Sequence, residues 1–218
     1  MSAYEKPMPF RHCLADPAPA IYRAARMMES AAQAHASGAR AEAIRLLAAA
    51  NDVEVRAYTE MVWGAGARQR FGFVTVANPP PVLVKTDRPI PRMPTQSTCA
   101  ELIARDGFHC RFCGIPVVDV KTRKLICKLY PEAVSWGTTN SSQHAALQCM
   151  WLQFDHVLPN GRDGSSDLEN MVITCAPCNF GRMDHTIEEA RLSDPRLELR
   201  SDTWDGYSRW DGLQLFHG

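Results

Sequence analysis

Cys110 and Cys113 lie in CRFCG, and Cys175 and Cys178 in CAPC, each pair with two residues between its members. Thiolates at that spacing reach one tetrahedral ion while the backbone between them turns, so the two pairs together predict a four-cysteine site for structural Zn2+. The 61 residues between the pairs far exceed the roughly 15 to 20 of a compact zinc ribbon, so the intervening chain must loop out and return. A closed set of thiolates leaves no position for a substrate, which makes this a site for folding and a poor one for reaction. Cys13, Cys99, Cys127 and Cys149 have no partner at ligand spacing and are expected to be free thiols.

A second set of residues carries different chemistry: Asp155 and His156 in FDHVLP, Asn170 in LEN, and Asn179 directly after Cys178. Cutting a phosphodiester at neutral pH needs a base for water, a cation for the charge on phosphate, and an open coordination position. The Asp155 carboxylate and the Asn179 amide oxygen are hard ligands of the kind Mg2+ or Mn2+ takes, and two protein ligands leave room for water and phosphate oxygens. His156, with an ordinary pKa of about 6.5, is mostly neutral above pH 7 and able to accept a proton. Consecutive strand residues point to opposite faces, so Asp155 and His156 can address one phosphate only at a bulge or a strand end, and Pro159 is consistent with an end. Phosphate contacts are expected from Arg162 and from Arg182 and His185, the last two on a helix whose positive end would face the anion.

The ordered set CRFCG, FDHVLP, LEN and CAPCN with a following helix resembles an HNH endonuclease of the ββα-metal class with a zinc knuckle, over roughly residues 99 to 192. Asn179 stands where many members of that family have histidine; asparagine is a common variant whose amide oxygen also ligates a hard cation. The resemblance implies an α+β fold with a small ββα-metal domain, and a metal-dependent endonuclease acting on DNA. In it His156 would be the general base, Asp155 and Asn179 would hold the divalent ion, and Asn170 would hold the inter-strand loop that orients the base. Arg105-Asp106 resembles an Arg-Asp common before the first cysteine pair, where a local salt bridge or helix cap is the simpler explanation. The alternative reading is a non-catalytic zinc module that binds nucleic acid or protein; such a module has no reason to keep Asp155, His156 and Asn179 together. A zinc nucleobase deaminase is excluded, because it needs H-x-E and P-C-x-x-C and neither is present.

The elements that must position these residues follow from periodicity. CMWLQFDHVLP and NMVITC read as strands around the polar loop NGRDGSSDLE, and CNFGRMDHTIEEARL as a helix start and its continuation, which makes a ββα unit. Within the insert at about 115–149, KTRKLICKLYPEA and SSQHAALQ read as helical, the second capped by Asn140 or Ser141, and CAELIARDG is a helix capped by Thr98 and stopped at Gly107. Residues 1–76 form a helical region after an irregular arm over 1–19. In it Ile21, Ala24, Met28 and Ala31 make one stripe, Gly38 separates a second helix over 39–50, and Asn51-Asp52 caps a third that closes at Gly64. Residues 77–98, with prolines at 79, 80, 81, 89, 91 and 94, predict a stiff linker and a domain boundary. The tail, 193–218, is expected to pack back through Trp204 and Trp210.

The 218-residue composition, 45% hydrophobic and 22% charged, is that of a globular chain. With 24 basic against 24 acidic residues the formal net charge is zero, which excludes binding to DNA by bulk charge, so any contact is local. The N-terminal helices are the candidate surface for a protein partner. No apolar run approaches the roughly 18 residues of a membrane span and the start does not read as a signal peptide, so a cytoplasmic protein with no membrane contact is expected.

Overall fold

The computed structural model describes residues 10–197 and 210–218. Helix α1 (Pro19–Ala36) opens on proline, whose fixed φ suits a first turn, and buries Ile21, Ala24, Ala25, Met28, Ala31 and Ala32. Gly38 then turns the chain at φ +76°. Helix α2 (Arg40–Ala50) buries Ala43, Leu47 and Ala50, and α3 (Val53–Trp63) is capped by Asp52, whose carboxylate accepts the Glu54 N–H at 2.7 Å. A single turn, α4 (Ala67–Arg70), follows.

The proline-rich stretch is not a spacer. It is tied down across the loop that joins the two strands: Leu83 N–H donates to Gly161 O at 2.8 Å, Arg162 to Pro80 O at 2.7 Å, and Asn160 Nδ2 to Pro89 O at 2.9 Å. The hydrophobic core is likewise continuous across the expected boundary, with Met28, Leu47 and Val62 in the same cluster as Phe112, Leu147 and Ile173. Prolines have no N–H to leave unpaired, and their carbonyls are the acceptors used here.

Helix α5 (Gln96–Asp106) is capped by Thr95, not Thr98: Thr95 Oγ1 accepts the Thr98 N–H at 3.2 Å, so the helix starts earlier than its apolar stripe suggests. Its last residue carries a clamp. Arg105 grips Asp106 at 2.7 and 2.9 Å and reaches Leu168 O and Met171 O, while Asp106 accepts the Ile173 N–H at 3.0 Å. The Arg-Asp pair is thus a salt bridge that fastens α5 to the second strand.

In the insert, α6 (Val120–Leu129) is capped by Asp119. The short α7 (Ala145–Cys149) is capped by the His144 ring, Nδ1 accepting the Leu147 N–H at 3.4 Å, while Asn140 and Ser141 lie in a separate 3-10 turn. Since Nδ1 accepts, the proton is on Nε2, which donates to Leu47 O at 2.8 Å and joins α7 to α2. Burial pushes the His144 pKa below its ordinary value. The unfolded chain therefore takes up a proton near pH 6.5 that the folded chain refuses, and stability is lost as pH falls below that value, at up to about 1.4 kcal/mol per pH unit. Urea midpoints for His144→Gln are expected to fall less between pH 7.5 and 5.5 than those of the unaltered protein; equal slopes would contradict the assignment.

Strands β1 (Leu152–His156) and β2 (Met171–Cys175) pair antiparallel, with Phe154 opposite Ile173 and His156 opposite Met171. Helix α8 (Ala176–Arg182) follows at once, giving the expected strand, loop, strand, helix order. Beyond Arg182 the helix stops, at Met183 with φ +55°, instead of continuing through the acidic stretch. The chain is held there by Arg182, which donates to His185 O at 2.7 Å, and by Glu189, which accepts the Thr186 N–H at 2.9 Å. Gly181 lets α8 approach α3, since a Cβ there would lie 2.7 Å from Val62 O. At the C-terminal end Trp210 Nε1 donates to Val117 O at 2.9 Å, and Leu213 and Phe216 are buried. Trp204 lies outside the described residues. Among the described residues no helix is long and apolar enough to cross a membrane.

Candidate metal centre and catalytic cleft

Cys110 and Cys113 sit in the tight turn before the insert, where the Gly114 N–H returns to Cys110 O at 2.8 Å. Cys175 ends β2 and Cys178 lies in the first turn of α8. The two pairs, remote in sequence, meet with all four sulfurs within 4.8 Å of one another and every one buried, and Cys113 Sγ is 3.6 Å from Cys175 Sγ. Four thiolates about 2.3 Å from one zinc ion stand about 3.8 Å apart, so this cluster has the size and donor set to hold a metal such as zinc. Burial and bonds from Cys110 and Cys113 push the Cys175 thiol well up, and contacts with Cys110 and Cys113 do the same to Cys178. Against its burial, hydrogen bonds from the other three cysteines hold the Cys110 thiol well below its ordinary value, so it is Cys175 and Cys178 whose protons a metal displaces, and binding weakens in acid. Cys13 and Cys149 are buried elsewhere, and Cys99 and Cys127 are partly exposed.

Between β1 and α8 on one side and the proline-rich stretch on the other lies a cleft of about 380 Å³, lined by Asp155, His156 and Asn179 together with Gln153, Arg88 and Arg92. β1 ends at His156, and at this strand end both Asp155 and His156 border the same space, which removes the difficulty of opposite faces. Burial pushes the His156 pKa below its ordinary value; Arg92 and Arg182 push the same way and Asp155 opposes them, so the ring is neutral at pH 7. Asn179 Nδ2 donates to Gln153 Oε1 at 3.4 Å, which leaves Oδ1, the atom a cation would take, out of that contact.

Asn170 lies at the loop end of the hairpin, beside the His156–Met171 pair, and holds the inter-strand loop. Its Oδ1 accepts the Leu158 N–H at 2.9 Å, and its Nδ2 donates to Leu158 O at 3.0 Å and Ser165 O at 2.8 Å. Gly164 is required inside this loop, because a Cβ would fall 1.7 Å from Leu158 O.

The three expected phosphate contacts are deployed inward. Arg182 is 1% exposed; one nitrogen bridges both Asp155 carboxylate oxygens at 3.0 and 2.9 Å and also donates to His156 O, while the other reaches Val157 O. Arg162 is buried against Glu189 at 2.9 and 3.0 Å, and His185 stacks on Phe73 with ring centres 4.0 Å apart, 3.5 Å from Glu189. The helix start offers no substitute, since α8 is short and begins inside the cysteine cluster. The cations that do line the cleft, Arg88 and Arg92, come from the proline-rich strap. Sequence alone does not point to them, because proline-rich composition reads as a linker; the available signal is basic residues flanked by prolines.

No protein-family model, no curated protein and no solved structure matches this chain.

Proposed function

We propose that the cleft is the active site of a metal-dependent endonuclease that hydrolyses phosphodiester bonds in DNA, with Zn2+ in the four-cysteine cluster as its structural metal. The observation that carries the reading is the meeting of Asp155, His156 and Asn179 at one cleft, apart from the closed cysteine cluster. The Asp155 carboxylate, although bridged by Arg182, keeps a second lone pair on each oxygen, and with Asn179 Oδ1 it forms a pair of hard donors fit for Mg2+ or Mn2+. Bound there, such an ion supplies a Lewis acid for the phosphate and the departing 3′ oxygen. His156, neutral and bordering the same space, accepts a proton from the attacking water. Asn170 keeps the loop shut beneath it, and Arg88 and Arg92 offer positive charge to the strand being cut.

The second reading, a zinc module that binds nucleic acid or protein without cutting, draws support from the Asp155–Arg182 contact, since a carboxylate already neutralised attracts a cation less. One experiment separates the two. Zinc-loaded protein is incubated with supercoiled plasmid in Mg2+ or Mn2+, beside a His156→Ala protein shown to be folded and to retain zinc. Cleavage that needs the added ion and falls at least about 100-fold in the variant is the expected result. Intact plasmid with both proteins across ions and pH moves the binding module ahead.

A further inference from the structure

Ser166, in the loop between the strands, takes no part in the chemistry above, yet its hydroxyl joins three groups. Oγ lies 2.9 Å from His156 Nε2, 2.8 Å from Pro91 O and 3.0 Å from Arg92 O. A hydroxyl has one proton to give, and the two carbonyls have none. The Ser166 proton therefore goes to the carbonyls, its lone pair faces the ring, and Nε2 must bring a proton of its own. We propose that Ser166 is a positioning residue that holds His156 as the Nε2–H tautomer by tying it to the proline-rich strap, so that the ring turns the lone pair of Nδ1 to the cleft. This rests on the nuclease reading for its catalytic meaning, but the tautomer stands or falls on geometry alone.

The strap decides the outcome because a serine without those carbonyls is free to rotate. It would then donate to Nε2, the proton would sit on Nδ1, and the atom needed to accept a proton from water would already carry one. Among the described residues Nδ1 has no hydrogen-bond partner, so nothing else selects between the two forms. The bonds that fix the strap at Pro80, Leu83 and Pro89 make its carbonyls a firm anchor. A segment that reads as a linker is thereby part of the site, and the same anchorage sets Arg92 beside His156.

The test is a long-range proton–nitrogen correlation spectrum of the full zinc-loaded chain, labelled with 15N in its histidines, at pH 8, where an ordinary imidazole is neutral. His156 is assigned by the signals lost in His156→Ala. The unaltered protein is expected to show His156 as Nε2–H, Ser166→Thr to keep that form, and Ser166→Ala to show a mixture of both. On plasmid, Ser166→Ala is expected to lower kcat about 10-fold at unchanged KM, with Ser166→Thr restoring it. His156 found as Nδ1–H in the unaltered protein, or a pure Nε2–H form surviving in folded Ser166→Ala, overturns the proposal. Expected tautomers in a protein that never cuts DNA would instead support the positioning role and remove the nuclease.

Discussion

Cys178→Ser is expected to abolish metal binding and, with it, cooperative unfolding of the chain. The physical reason is scale. Structural zinc in a four-thiolate site has an apparent binding free energy of about 10 to 16 kcal/mol at neutral pH, as large as the whole stability of many domains. Here the cluster also sits where the turn before the insert, the end of β2 and the start of α8 converge, so its loss frees all three at once. Metal content and urea unfolding read the effect together: one zinc per chain and a single transition in the unaltered protein, neither in the variant. Chelation should do the same and zinc should restore it. Cys99→Ser and Cys127→Ser, outside the cluster, are expected to keep both properties. A Cys178→Ser protein that lacks metal yet melts unchanged would show that the cluster does not hold the fold.

Arg182→Met is the second large effect, with an expected loss of about 3 to 5 kcal/mol. Methionine keeps an apolar stem but removes the charge that answers Asp155, itself only 6% exposed, and removes the donors that serve His156 O, Val157 O and His185 O. Adding Asp155→Asn should recover part of the loss, because no buried charge is then left alone; a four-protein urea cycle measures that coupling, and strictly additive losses would deny it. The same variant speaks to the cleft. With Arg182 absent, an added Mg2+ ion is the available countercharge, so Mg2+ should raise the midpoint of Arg182→Met more than that of the unaltered protein.

Much of this arrangement is legible in the chain, and the parts that are not have a common cause. The cysteine pairs, the strand around Asp155 and His156, the second strand after Asn170 and the helix stripe of Ile21, Ala24 and Met28 are local patterns, fixed by spacing within a few residues. The inward turn of Arg182 and Arg162 depends on Asp155 and Glu189, each 27 positions away, and nothing near the arginines announces those partners. The early stop of α8 has the same origin, for Glu189, which looks like part of a continuing helix, is instead fastening Arg162. Thr95 does not stand out from Thr98 as a cap in the sequence because Thr95, Gln96, Ser97 and Thr98 are all polar. The anchorage of the proline stretch runs through backbone groups, the carbonyls of Pro80, Pro89, Pro91 and Arg92 and the Leu83 N–H, which no side-chain pattern announces.

The span between the cysteine pairs, insert and strands together, has an entropic side. Closing a loop grows in cost only as the logarithm of its length, so bringing together ends 61 residues apart, where a compact ribbon would join about 17, adds roughly 1 kcal/mol. Against what a four-thiolate metal returns, that is small. The metal thus makes length between the pairs nearly neutral in closure entropy, and what constrains the insert is its own packing, through Val117, Ile126 and Leu147 in the core and His144 on Leu47 O. Asp119 and Val120, at the start of α6 within the insert, border the cleft beside Trp151, so a change in the insert would be felt first by whatever the cleft receives, before the chemistry that acts on it.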